Sequence, residues 1–184
     1  MIPELAVLSL LASPAGAGCL DETSLDKGIR VAFADGNALM VERHDGALLS
    51  LTYSGVPDGP SDPTDSATSL AWHGLFVTLR DSRAAEGFTM RYAAEFTETP
   101  PIPQAGQSGT LTTRPGDTPR VLLYGYSQAE PVLVGDCTYE ILHVALTIPP
   151  LRGETVVGGH LYFPELGFGF PGSADEIVSI ELRP

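Results

Sequence analysis

Leu49-Ser50-Leu51-Thr52-Tyr53-Ser54 places an apolar side chain at every second position. Successive side chains of a strand point to opposite faces, so this hexapeptide reads as a strand with one buried face. Phe88, Met90 and Tyr92 alternate in the same way with Thr89, Arg91 and Ala93. Similar alternation marks Ile29, Val31 and Phe33; Leu75, Val77 and Leu79; Leu142, Val144, Leu146 and Ile148; and Val178, Ile180 and Leu182. No apolar stripe of helical period persists for three turns.

Asp35-Gly36 and Asp45-Gly46 fall between apolar runs, where glycine supplies the positive φ of a tight hairpin. Residues 28–54 therefore read as a three-stranded meander. Two stretches lack periodicity, Gly55 to Thr68 and Thr97 to Pro119, and both read as surface loops; Ser108 to Arg114 is a candidate short strand inside the second. Sixteen prolines and twenty glycines suit many turns between short strands. The expected fold is all-β: an antiparallel sandwich or partly closed barrel of about ten to twelve strands. Two blocks of similar outline, Gly18 to Gly55 and Gly135 to Gly172, suggest meander pseudo-repeats. On that reading, halves 18–96 and 120–184 are joined by the Pro/Gly-rich stretch between them.

The N-terminus reads as a leader. Leu5 to Ala12 is a short apolar run, Pro14 breaks it, and Ala15-Gly16-Ala17 supplies small residues before a cleavage point. The segment ahead of the run, Met1-Ile2-Pro3-Glu4, lacks the positive charge usual there. Residues 1–17 are read as a signal peptide and 18–184 as one exported domain, periplasmic or secreted. No segment approaches the roughly twenty apolar residues of a spanning helix, so no transmembrane anchor is expected.

The two cysteines, Cys19 and Cys137, are an even pair in an exported chain, which favours a disulfide. The alternative is that Cys19 is the lipid-modified first residue of an outer-membrane lipoprotein, although Gly16 stands where such signals prefer a leucine-like residue. Acylation and disulfide formation compete for one sulfur. The formal charge of −13 includes Glu4, the sole charge of the leader, so the remainder keeps −12. A chain this acidic repels phosphate backbones and anionic headgroups, which argues against nucleic acid as a partner.

Gly28-Ile29 with Asp35-Gly36, His73-Gly74-Leu75-Phe76, Gly135-Asp136-Cys137-Thr138-Tyr139 and Leu161-Tyr162-Phe163-Pro164-Glu165-Leu166-Gly167 resemble an uncharacterised family of exported all-β proteins from alphaproteobacteria. That family has no assigned activity. The resemblance implies location and fold, and it transfers no site residue.

Several patterns imitate chemistry. Gly167-Phe168-Gly169-Phe170-Pro171-Gly172 has dinucleotide-loop glycine spacing but no helix to hold a pyrophosphate, so a bulged turn is expected. Gly125-Tyr126-Ser127-Gln128-Ala129 partly copies a nucleophile elbow, with His143 or His73 as imaginable bases and Asp81 or Asp136 as orienters, yet nothing helical follows it. His44, His73, His143 and His160 show no chelating spacing, and neither do the cysteines. Asp58, Asp62 and Asp65 crowd one loop, where hard oxygens could hold calcium, but Pro60 and Pro63 interrupt it. Glu42, His44 and Asp45 sit at a hairpin tip. No catalytic residue, cofactor or metal ligand is assigned from these patterns.

Tyr162, Phe163, Phe168 and Phe170 form the candidate binding patch, because alternation sends Tyr162 and Phe163 to opposite faces. Packing in the core is the plainer reading of these rings. The function expected is that of a non-catalytic exported domain of the cell envelope, either structural or binding a protein or an apolar small molecule. The alternatives are a hydrolase or metal enzyme with a site assembled from separate strands, and a lipid-handling protein lipidated at Cys19.

Overall fold

The computed structural model describes residues 18–54, 66–82, 88–115, 119–148 and 156–183. Residues 1–17, read as a leader, and Asp58, Asp62 and Asp65, read as a calcium-like loop, lie outside the described residues. Fourteen strands are described: β1 (Ile29–Phe33), β2 (Ala38–Asp45), β3 (Leu48–Ser54), β4 (Ser66–Trp72), β5 (Phe76–Ser82), β6 (Phe88–Tyr92) and β7 (Ser108–Pro115), followed by β8 (Arg120–Gln128), β9 (Val132–Val134), β10 (Cys137–Tyr139), β11 (Leu142–Ile148), β12 (Val156–Phe163), β13 (Phe168–Pro171) and β14 (Ile177–Leu182). One α-helix, α1 (Ala94–Glu98), and 3-10 turns at Glu22–Asp26 and Ala174–Glu176 complete the elements. The expected ten to twelve strands are met by a twelve-stranded sheet, and β9 and β10 form a separate two-stranded hairpin beside it.

The large sheet is antiparallel throughout, in the order β13-β12-β11-β8-β7-β6-β5-β4-β3-β2-β1-β14. It folds into two layers, one holding β14 and β1–β5, the other β6–β8 and β11–β13. The short pairing of Leu79 with Thr89 and Arg80 with Phe88 joins them. The sheet is not closed into a barrel, and the arrangement is a sandwich. The meander over 28–54 is present as β1, β2 and β3, turning at Gly36 (φ 87°) and Gly46 (φ 52°). A second consecutive meander is β11, β12 and β13. What precedes each differs, a 3-10 turn in one case and the β9–β10 hairpin in the other.

Two cores hold the layers. The first gathers Ile29, Val31, Leu39, Val41, Leu49, Leu51 and Ala71 from one layer against Leu161, Phe163, Phe168 and Phe170 from the other. The second gathers Leu75, Phe76, Phe96, Leu122, Tyr126, Leu142, Val144 and Tyr162. β12 is thus buried on both faces, with Leu161 and Phe163 entering one core and Tyr162 the other. That is the physical origin of the unbroken apolar run Leu161-Tyr162-Phe163.

Two expectations fail locally. Ser66 to Thr68, read as loop, begin β4, because Ala67 and Ser69 are too small to register as an apolar alternation. In β5 the strict alternation Leu75, Val77, Leu79 is broken by a bulge: Leu70 pairs with Leu79 but Ala71 pairs with Val77. Thr78 is the extra residue, and its hydroxyl donates to the Met90 carbonyl at 3.0 Å. Leu79 consequently turns outward, 41% exposed.

The glycine-rich segment is a turn followed by a strand, and the bulged turn expected there is not what forms. Gly167 (φ 73°) receives the chain after Phe163, and Gly169 lies in β13 opposite Tyr162. The Gly169 amide donates to the His73 carbonyl at 2.8 Å, and a Cβ on Gly169 would collide with the Leu161 carbonyl and the Leu75 side chain. The His73-Gly74 turn can therefore dock its backbone directly on β13. His73 itself adopts φ 51°, unusual for a residue with a Cβ, and is held by its amide donating to the Ala47 carbonyl at 2.8 Å.

Cys19 and Cys137 are disulfide-bonded, with Cα atoms 5.5 Å apart across a sequence separation of 118. The bond ties the start of the described chain to β10, and the Leu20 amide adds a hydrogen bond to the Tyr139 hydroxyl at 3.3 Å. A cross-link of this span restricts the unfolded chain by on the order of 5 kcal/mol in the chain-entropy account. Reducing the bond, or replacing both residues in Cys19→Ser/Cys137→Ser, is expected to lower the urea midpoint without loss of the far-ultraviolet β signal. An unchanged midpoint contradicts this account.

Burial lowers the pKa of His73 below its ordinary 6.5, outweighing the opposing pull of a hydrogen bond to the Pro100 carbonyl and of the Glu22 charge. The folded state holds the ring neutral where the unfolded chain takes up a proton, so stability rises with pH through that window. His73 should therefore contribute no pH dependence well above 6.5 and cost stability progressively as pH falls through that value. Urea unfolding from pH 7.5 to 5.5 checks this. In His73→Asn, whose side chain tolerates positive φ, that part of the slope should vanish.

Candidate functional site

A cavity of about 760 Å³ opens against the inner wall of β3, β4 and β5. Its walls are Leu51 and Tyr53 of β3, Ala67, Ser69 and Ala71 of β4, and Val77 and Arg80 of β5. Phe33 and the β1–β2 turn close one end. His160, Pro171 and Glu176 border it from the far edge of the sheet. Small side chains on β4 create the space, since Ser69 and Ala71 stand between larger neighbours on both flanking strands and Ala67 lies opposite Tyr53.

Register fixes which groups meet. Tyr53 lies opposite Ala67; Leu51, Ser69 and Arg80 form one cross-strand row; Leu49, Ala71 and Val77 form the next. Without the bulge at Thr78, Val77 and Arg80 could not both face this wall, because their separation is odd. Arg80 is thus delivered to the cavity by an irregularity of the strand.

The polar groups are few. The Tyr53 hydroxyl is buried with no hydrogen-bond partner among the described residues. Burial pushes its pKa up, while the nearby Arg80 charge pulls it partly back, so at neutral pH it is a protonated donor. Arg80 is exposed and forms no ion pair with a described residue, whereas Arg43 bridges Glu22 and Asp26, and Arg183 pairs with Glu42. Asp35 and Glu176 are exposed at the rim and engaged locally. Asp35 accepts from the Asn37 amide at 2.9 Å and from its side-chain nitrogen at 2.6 Å, and Glu176 accepts from the Ser173 amide at 3.3 Å.

The residues singled out by sequence are dispersed. All four rings of the candidate patch are buried: Phe163, Phe168 and Phe170 stack in the first core, with centroids 5.8 to 6.1 Å apart, and Tyr162 lies in the second. They offer no exposed apolar surface, which corrects the patch to interior packing. Ser127 continues β8 as a regular strand residue paired with His143 of β11, so the elbow geometry is absent there. His44 and Asp45 are exposed at the β2–β3 tip, and Glu42 pairs with Arg183. Among the described residues, no group of three or more His, Cys, Asp or Glu is placed to hold a metal ion. No described helix is long and apolar enough to cross a membrane.

Tyr53, Arg80 and the small row on β4 are the residues that sequence reading passed over. The spacing Ala67-x-Ser69-x-Ala71 was the available signal for the row. Nothing local announces Arg80, because a bulge leaves no signature in composition. Compared with known proteins, the chain matches no family model, no curated protein and no solved structure. The site must be judged on its own geometry.

Proposed function

We propose that this protein is a non-catalytic exported binding domain whose cavity holds an apolar small molecule. The observation that carries the reading is the cavity itself. A concave space of about 760 Å³ with a mainly apolar wall and a few polar groups has the size and chemistry of a small-molecule site. Its floor belongs to two facing regions of one packed sheet, so the site is largely preformed.

Export is supported by the Cys19–Cys137 disulfide, a bond that oxidising compartments sustain and the cytosol does not. A sulfur committed to Cys137 is closed to acylation, which removes the motive for the Cys19 lipoprotein alternative. Handling of an apolar molecule is compatible with either a periplasmic or a secreted domain.

The neutral fluorophore N-phenyl-1-naphthylamine should bind the full chain saturably at one site. At a hundred times its Kd it should stabilise the fold by about 2.7 kcal/mol in urea unfolding. Ala67→Phe, which fills the space between Tyr53 and Ser82, should abolish the fluorescence rise. Leu133→Ser, at a 68% exposed position on β9, should leave it unchanged. Absence of saturable binding to the wild-type chain contradicts the proposal.

A further inference from the structure

We infer that the cavity selects an amphiphile with a single anionic head, a carboxylate on a hydrocarbon chain, with Arg80 and the Tyr53 hydroxyl receiving the head. This inference rests on the cavity reading above and deepens it. Both groups line the same wall, Arg80 in the row Leu51–Ser69–Arg80 and Tyr53 two residues along β3 from Leu51.

The two groups are both donors, Arg80 at an exposed position and Tyr53 with its hydroxyl buried. A guanidinium carries five N–H donors and no acceptor and stays charged at every physiological pH. The Tyr53 hydroxyl is buried without a partner among the described residues. Buried polar groups are almost always hydrogen-bonded, so an unpartnered one at a cavity wall calls for a group from outside the protein. Two donors on one wall call for an acceptor, and because one of them is the Arg80 cation, a negative one fits best.

The rest of the lining fits the tail. Ala71 and Val77, in the row next to Arg80, continue the wall away from it with no ionisable group. The acids of the rim are not counter-ions to Arg80 in this structure, since Asp35 engages Asn37 and Glu176 engages Ser173. They and the net charge of −13 oppose a head with several negative charges, which leaves one as the fitting number.

Isothermal titration of the full chain with decanoate, 1-decanol and decyltrimethylammonium tests the inference. Decanoate should bind about tenfold more tightly than 1-decanol, as one charge-assisted hydrogen bond provides, and the cation should bind most weakly. In Arg80→Gln the preference for decanoate over 1-decanol should disappear. Arg80→Lys should keep part of the preference, and high salt should reduce it in the wild type. Equal affinity for decanoate and 1-decanol, or a preference that survives Arg80→Gln, overturns the anionic head and leaves the apolar cavity standing. If neither ligand binds, the cavity reading fails and this inference with it.

Discussion

Five residues, 172–176, connect β13 to β14, and these strands lie at opposite ends of a twelve-stranded order. A chain that short spans at most about 20 Å. A flat sheet of twelve strands at nearly 5 Å spacing would separate its edges by more than twice that distance. The sheet therefore has to curl until its two edges face each other. The edge-on contact of Phe33 with Phe170 at 5.6 Å is the point at which the two ends meet, and beside it the Ala34 amide, donating to the Glu176 carbonyl at 2.8 Å, extends the β1–β14 pairing.

The cavity follows from that curl. Residues from the β1–β2 turn, from the β3–β5 wall and from the β12–β13 edge can share one space only because the edges converge. Where side chains are large, the converging layers fill the gap with the stacked rings of Phe163, Phe168 and Phe170. Where β4 offers Ala67, Ser69 and Ala71, the gap stays open. The direct docking of the His73-Gly74 turn on Gly169 holds the two layers at a separation that side chains alone would not enforce. The disulfide fastens a different corner, where the first described residues meet the β9–β10 hairpin.

Much of the architecture is legible in the sequence, because strand pairing and the hydrophobic period are local properties. β1 to β3 with their Asp-Gly turns, and the strand inside the Pro-rich stretch, are readable from alternation and turn residues alone. So is the Cys19–Cys137 pairing, which follows from an even count once the chain is read as exported. The site is a different matter. Tyr162, Phe163, Phe168 and Phe170 stand out as letters because they are large, and for the same reason they are interior. The residues that line the cavity are small or ordinary, and their convergence depends on long-range register. Arg80 reaches the wall through a bulge at Thr78 that no periodicity encodes, and it displaces Leu79, which alternation would have sent inward.

The most direct test of the curled sheet is a nuclear Overhauser spectrum of the isotopically labelled, oxidised protein. The account predicts cross-peaks between the ring protons of Phe33 and Phe170, alongside the β12–β13 and β1–β14 strand contacts. Intact strand contacts on both edges with no Phe33–Phe170 cross-peak would mean that the edges do not converge, and the cavity between them would go with them.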